Sequence, residues 1–331
     1  MKIAVVGAGA IGGYFGALLA RAGHDVTLIA RGVHRDAILA DGLTIETRNE
    51  GNQPESFTVH PACVENPAEA GAQDAVILSL KAPAVPAMAE RMLPLFGADT
   101  PLITAMNGVP YWYFHKHGGP LDGLRLETVD PGGLQWNLIG PQRAIGSVVW
   151  VAGAIARPGV ISHGGGRRLP LGEPDGSRSD RVLRLSETLT AAGIDAPVLD
   201  NIRQDIWTKL WGNLSFNPVS VLTHGTLGGL ANDPDAQAVL GAMMAEAQRI
   251  GEALGITFPM TIADRIGAAR KVGPHKTSML QDLESGRPME IDALIGVIAE
   301  LARRLDIPTP TIDTVLALVK ARARSAGTYN G

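Results

Sequence analysis

The chain has 331 residues, 45% of them apolar and 19% charged, with a net charge of −4. This is the composition of a folded globular protein, and with no basic block it excludes nucleic acid and an anionic membrane surface as partners. No run approaches the ~20 apolar residues of a membrane span, and the single cysteine, Cys63, cannot close an internal disulfide, so a reducing, cytoplasmic setting is expected.

Two domains are the natural expectation at this length. Lys2 to Val6 is a short run of branched apolar residues, suited to a strand buried on both faces. Gly7-Ala8-Gly9-Ala10-Ile11-Gly12 follows at once, then a helical pattern from Tyr14 to Ala22, a stop at Gly23, and a second strand from Asp25 to Ala30. A G-x-G-x-x-G between a strand and a helix is the signature of a dinucleotide-binding, Rossmann-type domain. Gly7 permits the tight turn, Gly9 admits a pyrophosphate close to the backbone, and Gly12 lets helix and strand pack. The helix N-terminus then offers amide donors to the phosphates. After the second strand an NAD enzyme carries a carboxylate for the ribose 2′-hydroxyl; here Arg31 stands instead, and a guanidinium suits a 2′-phosphate. NADP(H) is therefore the expected cofactor.

Further along, Asp41 to Val64 reads as short strands joined by a polar turn over Asn49 to Pro54. Ala75 to Leu80 and Leu102 to Ala105 are further buried strands, ending in Lys81 and in Asn107-Gly108. In open α/β sheets ligands sit beyond the carboxyl ends of strands, which makes Lys81 and Asn107 candidates to meet cofactor or substrate. Tyr111 to Gly133, with Trp112, Tyr113 and Phe114 crowded together, reads as a cover over the site or as a packed loop, the cover being preferred. Ala144 to Ala156 and Val160 to Leu171 form a pair of strands turning at Arg157-Pro158-Gly159. His163-Gly164-Gly165-Gly166 has the look of an esterase oxyanion loop, but without a G-x-S-x-G elbow hydrolysis is discarded. With no H-E-x-x-H or C-x-x-C, no metal is expected.

Past Gly176 helical periods dominate: Asp180 to Ala192, Asn201 to Asn217, Ala236 to Leu254, Met260 to Val272, Lys276 to Glu284, Pro288 to Leu305 and Thr309 to Ala323. The boundary is placed there, giving 1–176 and 177–331. Within the second of these helices Lys209, Asn213 and Asn217 recur every fourth residue and form one polar stripe. Ile206, Trp207, Leu210, Trp211 and Leu214 fill the other sides, so the helix is largely buried. An ammonium beside two amides suits an oxyanion or a carbonyl. Two other patches stand out. Thr277 or Ser278 precedes an apolar helical run, where N-capping is a sufficient reason. Glu290-Ile291-Asp292 opens a long helix with acids in its first turn, which the helix dipole also explains.

These pieces together resemble the ketopantoate reductase (2-dehydropantoate 2-reductase) family along essentially the whole chain. The matching segments are Gly7 to Gly12, Ser79-Leu80-Lys81-Ala82, Asn107-Gly108, Pro158-Gly159-Val160 with His163, Trp207-Thr208-Lys209-Leu210 through Asn213 to Asn217-Pro218, Lys276-Thr277-Ser278-Met279-Leu280-Gln281-Asp282, and Glu290-Ile291-Asp292. The resemblance implies an N-terminal Rossmann-type domain and a C-terminal all-helical domain of the 6-phosphogluconate dehydrogenase type, with the active site between them. It implies an NADPH-dependent reduction of a small 2-oxo acid, ketopantoate in pantothenate biosynthesis. By the same resemblance Lys209 is the proton donor, Glu290 lies between cofactor and substrate, Asn213, Asn217 and Ser278 bind substrate, and Lys81, Asn107 and Ala154 contact the cofactor. The run Val109 to Phe114 departs from the family pattern and leaves a bulkier 2-oxo acid open as the substrate. A non-catalytic NADP-binding sensor on the same scaffold is the reading from another class. The apolar helices leave room for a homodimer.

Overall fold

The computed structural model describes residues 1–48 and 53–329, and the chain forms two compact units. The first comprises Met1–Met106, Tyr111–Arg125 and Gly132–Ile202; the second comprises Asn107–Pro110, Leu126–Pro131 and Arg203–Gly331.

In chain order the strands of the first unit are β1 (Lys2–Val6), β2 (Asp25–Ile29), β3 (Leu43–Arg48), β4 (Pro54–Val59), β5 (Ala62–Val64), β6 (Ala75–Leu78), β7 (Leu102–Thr104), β8 (Ala144–Ser147), β9 (Trp150–Arg157), β10 (Val160–Arg168) and β11 (Leu171–Gly172). Its helices are α1 (Ala10–Arg21), α2 (Gly32–Asp41), the short α3 (Pro86–Ala89) and α4 (Leu134–Leu138), and α5 (Asp180–Ala191). Seven strands make one sheet in the order β11-β8-β7-β6-β1-β2-β5, parallel except for β11. β1 lies at its centre, with Val5 level with Leu28 on one side and Ile77 on the other. Its branched residues Val5 and Val6 are fully buried, as a strand covered on both faces requires.

A second sheet of four strands, β4-β3-β10-β9, takes the hairpin expected after Asp41. Of the polar turn expected there, residues 49–52 lie outside the described residues. The span Ala144 to Ala156, read as one strand, divides between the two sheets. Ala144–Ser147 is buried throughout and joins the parallel sheet, whereas β9 has one face toward solvent and pairs antiparallel with β10. The cover expected after Asn107 is instead packed interior: Trp112, Tyr113 and Phe114 are all fully buried, and Trp112 Nε1 donates to Thr104 Oγ1 at 3.0 Å.

Gly176 falls inside the first unit, which runs on to Ile202. The reason is the apolar stripe Val182, Leu185 and Leu189 of α5, which shares a core with Ile3, Val5 and Ile145.

The second unit holds α6 (Ile202–Thr223), α7 (Leu227–Asn232), α8 (Pro234–Ala253), α9 (Ile262–Val272), α10 (Ser278–Glu284), a π-helical turn (Asp292–Gly296) leading into α11 (Val297–Arg304), and α12 (Pro310–Ser325). Helix α7 had no legible period because two of its six residues are glycine. Among the described residues no helix is long and apolar enough to cross a membrane.

Candidate active site

In the first unit the glycine motif closes the gap between β1 and α1. Gly7 takes φ of +97°, a conformation that disfavours any side chain, and its amide donates to Ile29 O at 3.1 Å. A Cβ on Gly12 would lie 2.1 Å from Gly7 O, so only glycine lets α1 start this close to the turn. Gly9 is different: a Cβ there would meet no atom of the chain within 4 Å. Neither packing nor a positive φ demands glycine at this position. The open space at the start of α1, whose first turn holds no acid and whose first amides lack intrahelical acceptors, fits the pyrophosphate of a dinucleotide. Ala8 is buried while Ala10 and Ile11 are half-buried, as residues bordering such a site should be.

Ser79 donates its amide to Val6 O at 2.9 Å, which brings the carboxyl end of β6 beside the glycine turn, and Lys81 follows there, exposed. Arg31 is exposed just past the end of β2, at the start of α2. Ala154 is exposed on β9. His34 of α2, which the sequence did not single out, links this region together. Its Nε2 lies 2.9 Å from Ala8 O and its Nδ1 accepts from Gly159 N at 3.1 Å, so the ring holds its proton on Nε2. Burial lowers its pKa, which keeps that neutral form at neutral pH.

In the second unit α6 is apolar nearly all round. Trp207 and Trp211 are buried, Trp211 packs on Phe258 at 4.7 Å between ring centres, and its Nε1 donates to Met244 O at 2.8 Å. Lys209 and Asn213 on the remaining stripe are half-buried, and Asn217 is buried at 4% exposure. The Nδ2 of Asn217 is buried with no acceptor among the described residues. A buried donor left unmet costs roughly 1–3 kcal/mol, a penalty that a bound ligand would remove. Pro218 follows inside the helix and deprives the Leu214 carbonyl of its usual donor.

Around this stripe the chain gathers further polar groups. Thr277 is the cap of α10: its Oγ1 accepts from Leu280 N at 3.2 Å and lies 2.6 Å from Ser220 Oγ. Ser278, relieved of capping, has an exposed hydroxyl at the helix start. Glu290 is buried at 4% exposure and accepts from Asn107 Nδ2 at 3.1 Å. Asn107 and Glu290 both belong to the second unit. Burial lowers the Lys209 ammonium to about 8, and the charge of Glu290 works against that shift. Asp292 instead pairs with Lys320 Nζ at 2.8 Å and accepts from Tyr329 Oη at 2.8 Å, tying α12 and the following residues to the π-helical turn just after Glu290. Such turns are over-represented at functional sites. None of these residues lines the cavity of about 660 Å³ in the first unit between Phe96, His115, Arg125 and Trp136.

Two family models cover most of the chain: that of ketopantoate reductase PanE/ApbA matches residues 3–176, and that of its C-terminal domain matches residues 201–323. The chain belongs to the ketopantoate reductase family. It is 53% identical to a 2-dehydropantoate 2-reductase of Mesorhizobium japonicum, with 100% of both chains covered. A solved chain from Ralstonia solanacearum is 42% identical, with 99% of each chain covered and a TM-score of 0.92. A PanE/ApbA family ketopantoate reductase from Ralstonia eutropha is 29% identical, with 98% of this chain and 99% of that one covered and a TM-score of 0.84. As a ketopantoate reductase family member the chain has both the Rossmann-type parallel sheet and the helical C-terminal part expected of it.

Proposed function

We propose that this chain is an NADPH-dependent reductase of 2-oxo acids whose substrate is 2-dehydropantoate, reduced to pantoate for pantothenate biosynthesis. The carrying observation is the α6 stripe: a half-buried ammonium one turn before Asn213 and two before Asn217, whose buried amide has no acceptor among the described residues. The 53% identity to an enzyme of that name supports the substrate, and Arg31 in place of an acid supports the phosphorylated cofactor.

When bound, NADPH supplies a hydride to the carbonyl carbon of the 2-oxo acid. Lys209 holds the carbonyl oxygen, stabilises the negative charge that develops on it and donates the proton that makes the hydroxyl. Asn213, Asn217 and Ser278 orient the substrate, and Asn107 holds the Glu290 carboxylate that keeps Lys209 protonated. Lys81, Ala154 and the residues from Gly7 to Gly12 hold the cofactor. Because Trp112, Tyr113 and Phe114 are packed inside the first unit, the aromatic run after Asn107 no longer argues for a bulkier acid. Retention of Lys209, Glu290 and both asparagines speaks against a sensor that performs no chemistry.

The test offers the purified chain NADPH or NADH with ketopantoate, pyruvate, 2-oxoisovalerate and phenylglyoxylate. The fastest oxidation is expected for NADPH with ketopantoate. Oxidation with none of the acids would overturn the reductase reading, and faster turnover of phenylglyoxylate would replace the substrate.

A further inference from the structure

His34 has no part in the chemistry assigned to Lys209 and Glu290, yet both of its ring nitrogens are committed to backbone. Nε2 lies 2.9 Å from Ala8 O in the glycine turn, and Nδ1 accepts from Gly159 N at 3.1 Å, where the chain turns between β9 and β10. The Gly159 carbonyl accepts in turn from Thr44 N of β3 at 2.9 Å. The imidazole, on the first turn of α2, is therefore braced against the second sheet while it grips the glycine turn. That turn is otherwise tied by its first two amides alone: Gly7 N and Ala8 N both donate to Ile29 O, at 3.1 and 3.2 Å. At Gly9 nothing packs where a Cβ would be, and its N–H has no acceptor among the described residues. A glycine so placed lets the preceding peptide plane rotate at little cost. Because the peptide is planar, fixing Ala8 O also fixes the direction of Gly9 N–H. Without the imidazole, that plane could turn its carbonyl oxygen toward an incoming phosphate, where the two would repel.

We propose that His34 is a positioning residue for the cofactor, latching the Ala8–Gly9 peptide so that the glycine turn is shaped for the pyrophosphate of NADPH before it binds. The inference rests on the reading of Gly7 to Gly12 as the pyrophosphate site. A turn ordered in advance loses less conformational freedom on binding, so the latch acts on affinity and leaves the hydride step alone. Its effect belongs to the pyrophosphate and not to the ribose 2′-phosphate, because the peptide it holds lies within the glycine motif.

The test measures NADPH affinity by fluorescence, and that of 2′-AMP by its displacement of NADPH, for the wild type, His34→Phe and His34→Gln. The phenyl ring fills the same space and makes neither bond, whereas the glutamine amide can donate to Ala8 O and accept from Gly159 N. His34→Asn, too short to span both partners, takes the place of His34→Phe should that variant not fold. His34→Phe is expected to weaken NADPH about tenfold or more. Affinity for 2′-AMP, which lacks the pyrophosphate, and kcat at saturating NADPH are expected to stay within about twofold of the wild type. His34→Gln is expected to hold NADPH within about threefold of the wild type. A lower melting temperature with unchanged NADPH affinity, an equal loss for 2′-AMP, or a glutamine variant as weak as the phenylalanine one would each overturn the assignment. A wild type that binds no NADPH would overturn the reading of the glycine turn and this inference with it, an outcome distinct from the other three.

Discussion

Lys209 is held at a cost to the fold. Its folded pKa of about 8 lies below the 10.5 of a free lysine, so between those values the unfolded chain binds more protons and stability rises with pH. Below that window the full penalty of the charged, desolvated ammonium is present. Lys209→Met should therefore melt higher than the wild type at pH 7, by roughly a few degrees, with the advantage shrinking as pH rises toward 10.5. Calorimetric midpoints across pH check this, and an advantage that does not change with pH would contradict it. At this scale the sequence was partly legible. Lys209, Asn213 and Asn217 stood out because four-residue spacing of polar groups on an otherwise apolar helix marks a single buried stripe. His34 did not, because a single polar residue on a mixed helix looks like a solvent-facing one. Its partners, Ala8 and Gly159, are distant in sequence.

Among the elements, the glycine turn separates two reasons for the same residue. Gly12 is required by packing, since its Cβ would strike Gly7 O, while Gly9 faces open space. Gly12→Ala should lower the melting temperature clearly. Gly9→Ala should fold as the wild type does yet lose NADPH affinity by more than about tenfold. Thermal denaturation with a fluorescence titration distinguishes the two, and unchanged affinity in Gly9→Ala would remove the pyrophosphate from this turn. The strand–turn–helix was readable because its glycines and branched residues act locally. The division of Ala144 to Arg157 between two sheets was not, since which face meets solvent is settled by strands far along the chain. The π-helical turn after Glu290 was also hidden, because the ties that hold Asp292 come from Lys320 and Tyr329. Tyr329→Phe should lower kcat several-fold by loosening the segment that carries Glu290, with little change in KM for NADPH. Steady-state kinetics that match the wild type would confine this tie to stability.

For the molecule as a whole, the order of an α/β part followed by helices was legible from the change in hydrophobic period. The limits of the units were less so. The apolar stripe of α5 reads as the start of the helical part but completes the first core, and Asn107–Pro110 and Leu126–Pro131 belong to the second unit although they lie within the first half of the chain. Asn107, a candidate for cofactor or substrate from its place after a strand, gives its amide to Glu290 within the second unit. Both directions of the proposed reaction turn on one ammonium, which must carry a proton when a carbonyl is reduced and lack one when an alcohol is oxidised. The most direct measurement is kcat/KM against pH in both directions for the wild type and for Glu290→Gln. Reduction is expected to be level at low pH and to fall about tenfold per pH unit above about 8, oxidation of pantoate to rise over the same range, and Glu290→Gln to move both transitions to lower pH. Profiles that are flat through pH 8, or that do not move when Glu290 loses its charge, would contradict the assignment of Lys209 as the proton donor.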